Sequence, residues 1–273
     1  MGDLSALCAR HGWAFDPPRI VANLEDGYAL HASLLLFDGQ IYGTATGLYR
    51  GDELLHTFPT DMLSIDAQRI EEAMLRRIQT TQGIRRRFPR EAQEYADALG
   101  CQLAGDGLVI RSTGRSPDLN VTLSPSWCSE AQEGCLRIVL QDSRVPSHRS
   151  HPIECVSPDY ALQATLRFVE WIRQIYDSAH YLATRLDAFG PTLTIHEQTL
   201  ALALRSGLTI CVYFDSSRSV CNECVVLDGF EGEVADMDGL EVPELADRLH
   251  EFVRMHCRKR SCETGITGPS PGV

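Results

Sequence analysis

The residues best suited to metal chemistry in this chain are two cysteines separated by two residues, Cys221 and Cys224. Thiolates at this spacing bind zinc in many structural sites, and His256 and Cys257 could complete a tetrahedral set of ligands. However, the stretch 219–227 has the composition of a β-strand, in which residues three apart lie on opposite faces. A zinc knuckle would have to interrupt that strand. We therefore predict no metal site and no cofactor, and keep zinc at these four residues as the alternative.

Arginine side chains that could contact phosphate are the second candidate chemistry. The candidate cations are Arg69, Arg76, Arg77, Arg85, Arg86 and Arg87. Their surroundings oppose a polyanion, because residues 1–80 contain eleven acidic and six basic side chains and the whole chain has a formal net charge of −12. The run at 85–87 could contact phosphate, form a solvated linker, or bind an acidic surface of a partner protein.

Two sequence patterns that often carry catalysis are absent. The chain has neither a Gly-x-x-x-x-Gly-Lys phosphate loop nor a His-Glu-x-x-His motif. Its carboxylates are spread along the chain without the clustering of a metal or acid–base site. We therefore predict a protein that binds, not an enzyme.

Composition limits the class of protein further. The chain has 273 residues, of which 44% are hydrophobic and 23% charged, as in ordinary globular proteins. It has no apolar run approaching the roughly 20 residues that span a bilayer, and no signal-peptide pattern at its start. We expect a cytoplasmic or nuclear protein that does not contact membranes. The ten scattered cysteines then act mainly as buried thiols.

Periodicity predicts an α+β fold in which a helix, an antiparallel meander and a helix recur two or three times. The predicted modules are 1–82, 83–178 and 179–262, followed by a disordered tail at 263–273. The predicted helices are 3–11, 64–79, 90–99, a long helix after Pro158, 181–189 and 242–256. The predicted strands are 19–23, 30–37, 40–46, 108–112, 119–123, 136–141, 192–196, 208–214 and 220–227, with a further strand possible within 48–61.

The first module resembles a double-stranded-RNA-binding domain. The matching features are Leu4-x-x-Leu7-Cys8, Gly12-Trp13, Pro17-Pro18, the turn at Gly27, His31, the hairpin turn Phe37-Asp38-Gly39, the string Tyr42-Gly43-Thr44-Ala45-Thr46-Gly47, and the helix 64–78. The resemblance implies three strands packed against two helices, with His31 where that family contacts RNA. The family's lysine cluster is missing, because Ser64-Ile65-Asp66 occupies its position. The resemblance therefore implies a protein-docking version of the fold.

We predict a non-catalytic adaptor or assembly subunit that binds another protein through a sheet face, or through an edge strand plus helix. The binding candidates are His31, Tyr42, Tyr49 and the arginines named above. Two alternatives remain open: a weak double-stranded-RNA-binding protein, and an acidic secretion-chaperone-like or immunity-type protein. The secretion-chaperone-like or immunity-type alternative fits the rarity of lysine, because Lys259 is the only lysine among 25 lysine and arginine residues. A GC-rich genome that encodes basic residues as arginine is the favoured explanation of that bias. An RWD-like middle module is a structural alternative.

Overall fold

A computed structural model of the chain has the predicted α+β architecture, with helices and three antiparallel sheets. The structure describes all residues except 1, 39, 61–65, 113–115, 128–133, 197–198, 215–220, 228–236, 238 and 265–273. One compact unit comprises Met1–Ala98, Leu123–Ile138 and Ile153–Ala161, and the other comprises Leu99–Thr122, Val139–Pro152 and Leu162–Val273. None of the described helices is both long and apolar enough to cross a lipid bilayer.

The first sheet contains five strands in the order of the sequence, each antiparallel to its neighbours. The elements are α1 (Gly2–His11), β1 (Ala14–Asp16), β2 (Arg19–Asn23), β3 (Tyr28–Phe37), β4 (Gln40–Arg50), β5 (Glu53–Thr57) and α2 (Ala67–Ala98). The meander between two helices is thus confirmed, with the unpredicted β1 at one edge and, at the other, β5, which lies where a further strand was predicted as possible. Asp38 has a φ of 48° at the predicted β3–β4 turn, a conformation that aspartate tolerates in hairpins.

One face of this sheet is buried by both helices. Leu30, Ala32 and Leu34 alternate along β3 and are almost fully buried, as the period of a strand requires. The core cluster also includes Leu4 and Leu7 of α1, Ile70 and Met74 of α2, and Leu48 of β4. The opposite face of the sheet therefore carries the alternate residues of the same strands.

Helix α2 is continuous, whereas the sequence predicted two helices at 64–79 and 90–99. Gly83 and Pro89 lower the helix propensity of the intervening residues, but buried Thr81 and Ile84 continue the apolar face through them. Packing therefore overrides the local preference. The run Arg85–Arg87 lies within the helix, so its interpretation as a linker is wrong. The predicted start at Ser64 lies outside the described residues.

The other two sheets each have four strands in sequence order. The second comprises β6 (Gly107–Ile110), β7 (Leu119–Pro125), β8 (Leu136–Asp142) and β9 (Ile153–Val156), and the third comprises β10 (Thr192–His196), β11 (Thr199–Ala203), β12 (Thr209–Phe214) and β13 (Cys221–Leu227). The sequence predicted three strands in each and missed β9 and β11. Strand β9 has only four residues, and β11 reads Thr-Leu-Ala-Leu-Ala, where leucine and alanine favour a helix.

Two further helices follow the second and third sheets along the chain, α3 (Pro158–Arg185) and α4 (Val242–Thr264). Helix α3 merges most of two predicted helices, and α4 extends beyond the predicted end at residue 256. Leu245, Leu249 and Val253 of α4 pack with Leu200 and Leu202 of β11 in the core of the second unit. Most of the predicted disordered tail, residues 265–273, lies outside the described residues.

A buried carboxylate fixes the connection that follows β8. The side chains of Asp142 and His148 are both 0% exposed, and Nδ1–H of His148 donates to Asp142 Oδ2 at 3.1 Å. Tyr176 of α3 donates its hydroxyl to the same oxygen at 2.9 Å. The backbone N–H groups of Arg144 and Val145 donate to Oδ1 at 2.7 and 3.1 Å. Burial would raise the pKa of Asp142, but these hydrogen bonds hold it below its ordinary value.

We expect Asp142→Asn to lower the free energy of unfolding by about 2–3 kcal/mol at pH 7, because hydrogen bonds to a buried charge are lost. The lowered pKa means that ionised Asp142 stabilises the fold above pH 4, roughly the ordinary aspartate pKa, and that this contribution disappears as the pH falls through the folded pKa. Urea unfolding at pH 7 and below pH 4 measures both effects. The exposed Asp177→Asn is the control, and an equal loss in both variants would contradict this role.

Candidate functional site

The outer face of the first sheet, opposite the two helices, contains a concave region of about 340 Å³. We call this region the outer trough and define it by Arg19, His31, Ser33, Ala45, Gly47, Tyr49 and Leu54. These residues come from β2, β3, β4 and β5. The antiparallel register aligns Arg19 with Ser33, Ser33 with Ala45, and His31 with Gly47. Four strands of one rigid sheet therefore position the trough.

Small side chains form the floor of the outer trough. Along β4, Ala45 and Gly47 face outward and alternate with Thr44, Thr46 and Leu48, which are buried. Ser33 of β3 faces outward beside Ala45. A Cβ at position 47 would lie 2.8 Å from Tyr49 Cε2 and 3.0 Å from Leu54 Cδ1, so a larger residue there would displace these two side chains. The absent side chain allows the Tyr49 ring to lie against the backbone, as aromatic residues often do beside a strand glycine.

The walls of the outer trough combine aromatic, apolar and charged groups. The rings of His31 and Tyr49 stack with centroids 4.3 Å apart and an interplanar angle of 23°. Desolvation, and then the nearby Arg19 guanidinium, lower the pKa of His31. His31 is therefore neutral at pH 7 and can both donate and accept a hydrogen bond. Leu54 is 51% exposed on the other side of the trough, so the wall there is apolar.

Tyr42, another predicted site residue, lies outside the outer trough. Its ring meets that of Phe37 edge-on with centroids 6.5 Å apart near the tip of the β3–β4 hairpin. Phe37 is 76% exposed and Leu36 is 43% exposed. The hairpin therefore ends in a small apolar patch, separate from the site that contains His31 and Tyr49.

Three of the six predicted arginines have structural contacts that account for their positions. Arg77 is buried, donates to Thr46 Oγ1 and to the Pro59 carbonyl (2.9 Å), and lies over the Phe58 ring. The guanidinium carbon of Arg85 lies 4.7 Å from the centroid of the Tyr28 ring, and Arg85 forms a salt bridge with Asp26. Arg87 pairs with Glu91 at 4.0 Å. These arginines make contacts within the first compact unit and do not form one surface for phosphate.

The remaining three predicted arginines are exposed and widely spaced along α2. Arg69, Arg76 and Arg86 are all exposed, and a rise of 1.5 Å per residue separates them by roughly 10 and 15 Å. Glu72 lies between the first two on the exposed side of the helix. Arg90 lies four residues beyond Arg86 on the exposed side of α2 and pairs with Glu94 at 3.3 Å. The exposed cations of α2 are therefore interspersed with carboxylates, unlike the dense cation cluster that phosphate binding needs.

The predicted zinc alternative is left open by the structure. Cys221 and Cys224 lie in the continuous strand β13, and their side chains are outside those the structure describes. Among the described residues, no three His, Cys, Asp or Glu side chains are grouped to hold a metal. Of the six cysteines whose side chains the structure describes, Cys8, Cys135 and Cys211 are buried, whereas Cys101, Cys155 and Cys257 are only half-buried. The prediction of mainly buried thiols therefore holds for three of these six.

The thiol of Cys135 is held in its protonated form. Burial, followed by the hydrogen bond from its Sγ to Glu91 Oε2 at 3.1 Å, raises its pKa to about 12. The same carboxylate oxygen accepts the Cys135 backbone N–H at 2.8 Å. This contact ties α2 to the residue that precedes β8 and has no catalytic geometry.

Among the residues of the outer trough, His31 and Tyr49 were predicted as binding candidates from the sequence. Arg19, Ser33, Ala45 and Leu54 were not. A signal for the floor was present in the sequence, because the small residues Ala45 and Gly47 alternate with Thr44, Thr46 and Leu48, which are buried, along one strand. That alternation of small residues marks a depression on the outward face of a strand. Nothing in the sequence alone placed Leu54 beside Gly47, since that neighbourhood depends on how β5 pairs with β4.

No protein-family model matches the chain, and no curated protein has a significantly similar sequence. The outer trough is therefore interpreted from its own geometry.

We expect Arg77→Met to lower the free energy of unfolding by about 2 kcal/mol, because Thr46 Oγ1 and the Pro59 carbonyl lose a buried donor. Arg76→Met, one residue away on the exposed side of α2, should change it by less than about 0.5 kcal/mol. Urea unfolding followed by tryptophan fluorescence compares the two variants. Equal effects would contradict the structural role of Arg77.

Proposed function

We propose that the protein is a non-catalytic adaptor or assembly subunit that binds another polypeptide in the outer trough. The observation that carries this proposal is the one-sided burial of the first sheet, which leaves a concave face made by four strands. Concave sites with apolar walls and a few polar groups are common binding sites. The floor of small residues can accept the main chain and side chains of a partner without rearrangement.

The chemistry of the outer trough suits a polypeptide. Tyr49 and Leu54 offer aromatic and aliphatic contact area, and tyrosine is enriched where proteins bind one another. Neutral His31 and the Ser33 hydroxyl offer hydrogen bonds, while Arg19 and Asp52, which also lines the outer trough, supply one charge of each sign. A partner with mixed apolar and polar side chains complements these groups.

The alternative of double-stranded-RNA binding would depend on Arg69, Arg76 and Arg86. Three separated cations on a chain of net charge −12 would give weak binding that falls steeply with salt. If the protein binds no RNA, the resemblance to double-stranded-RNA-binding domains describes the scaffold alone. A secretion-chaperone-like or immunity-type role would use the same outer trough, and the identity of the bound polypeptide would separate these roles from an adaptor.

We expect Ala45→Arg to abolish stoichiometric co-purification of a partner polypeptide from the native source, because a long cationic side chain fills the floor of the outer trough. Leu54→Glu, which removes exposed apolar area at the wall, should weaken it about tenfold, which corresponds to about 1.4 kcal/mol. Quantitative mass spectrometry of tagged protein measures both. Gln93→Arg, an exposed position on α2, adds the same charge outside the trough and should leave capture unchanged.

Two outcomes would contradict the proposal. One is capture of the same partner at the same stoichiometry by folded Ala45→Arg protein, with thermal unfolding used to verify folding. The other is retardation of a long RNA duplex at low salt that is lost when Arg69, Arg76 and Arg86 are all replaced by glutamine. That result would assign function to α2 instead.

A further inference from the structure

A second concave region lies within the second unit, next to the first strand of the third sheet. We call it the β10 groove and define it by Leu193 and Ile195 of β10, Tyr176 and His180 of α3, and Arg144. Its volume is about 470 Å³. It does not involve the outer trough, so the inference below does not rest on the proposed function.

The floor of the β10 groove is apolar. Leu193 pairs with Leu202, and Ile195 pairs with Leu200. Both partners on β11 are fully buried, whereas Leu193 and Ile195 are only half-buried at the margin of the same core. Apolar side chains of β10 are thus left partly uncovered beside α3. Covering them would bury further apolar area.

Strand β10 is also the outermost strand of the third sheet as far as the structure describes it. An edge strand offers backbone N–H and C=O groups to a further strand. The residues that alternate with the floor, Thr192 and Thr194, are exposed and favour extended structure. An added strand would place alternate side chains over the groove and toward solvent.

The β10 groove also contains a cationic side chain, that of Arg144. The guanidinium carbon of Arg144 is 6.0 Å from the centroid of the Tyr176 ring. Both residues are fixed by Asp142, which accepts the Arg144 backbone N–H and the Tyr176 hydroxyl. The buried His148 ring also donates a hydrogen bond to the Asp142 carboxylate. The network therefore fixes the backbone of Arg144 and the ring beneath its guanidinium, which lowers the entropic cost of binding an anion.

We propose that the β10 groove binds an extended acidic polypeptide segment of a partner, which adds to the edge of β10, inserts apolar side chains between β10 and α3, and places a carboxylate against Arg144. Main-chain hydrogen bonds would provide affinity, and the apolar floor with the single cation would provide selectivity. The edge strand favours a polypeptide over a lipid, since a lipid uses no backbone donors.

The test uses a displayed library of random 12-residue peptides, selected against the full-length protein and against its Ile195→Glu variant. Leu166→Glu is the matched control, because Leu166 is an apolar residue of α3 that is 54% exposed and lies outside the groove. Fluorescence anisotropy then compares each enriched peptide with a version whose Asp and Glu are replaced by Asn and Gln. Arg144→Gln, at an exposed position, is measured with both peptide versions.

We expect peptides with alternating apolar residues and an acidic residue to be enriched on the wild-type protein. Ile195→Glu should weaken their binding at least about tenfold, and Leu166→Glu should leave it unchanged. Arg144→Gln should weaken the acidic version about tenfold and leave the amide version unaffected, because a charge-assisted hydrogen bond is lost.

Three results would overturn the proposal. The first is a library selection in which the wild-type protein enriches nothing beyond the Ile195→Glu variant, with circular dichroism used to verify that the variant is folded. The second is enrichment of peptides whose affinity does not depend on their carboxylates or on Arg144. The third is a wild-type dimer in sedimentation that Ile195→Glu converts to a monomer, since a second copy would then occupy the groove.

Discussion

The burial of only one face of the first sheet is the constraint on which the account of this protein depends. Helices α1 and α2 both contribute apolar side chains to the same face. The strand period then directs every second residue of β3 and β4 away from that core. Because those outward residues are mainly small, the uncovered face is concave and not flat. The candidate site is therefore a direct consequence of where the helices pack.

The contacts of the arginines agree with a buried structural face and an uncovered outer face. Arg77 and Arg85, two of the cations that could have contacted phosphate, instead contact Thr46, Pro59, Tyr28 and Asp26 within the first unit. An arginine is well suited to such roles, since its planar guanidinium donates several hydrogen bonds and stacks on aromatic rings. The helix thereby loses cations that a nucleic-acid surface would require, and the outer trough keeps a single one, Arg19.

The sequence was informative where local chemistry decides the structure. Strand β10 was predicted with its observed bounds, and the Asp38 turn of the first hairpin was predicted from its residue types. Prediction was wrong where packing outweighs propensity, as in α2, which continues through Gly83 and Pro89. Of the predicted binding residues, His31 and Tyr49 lie together in the outer trough, while their role in binding stays a prediction. Arg19 and Leu54 could not be found, because their proximity depends on strand pairing across separate segments.

Site-specific photo-cross-linking in the native source tests most directly whether the outer trough holds a partner polypeptide. A photoreactive amino acid would be placed at Leu54, at the wall of the trough, and in a separate variant at Arg86 on the exposed side of α2. The account predicts one dominant cross-linked polypeptide from position 54 and little cross-linking from position 86. Cross-links to RNA from position 86, with none to a polypeptide from position 54, would contradict it.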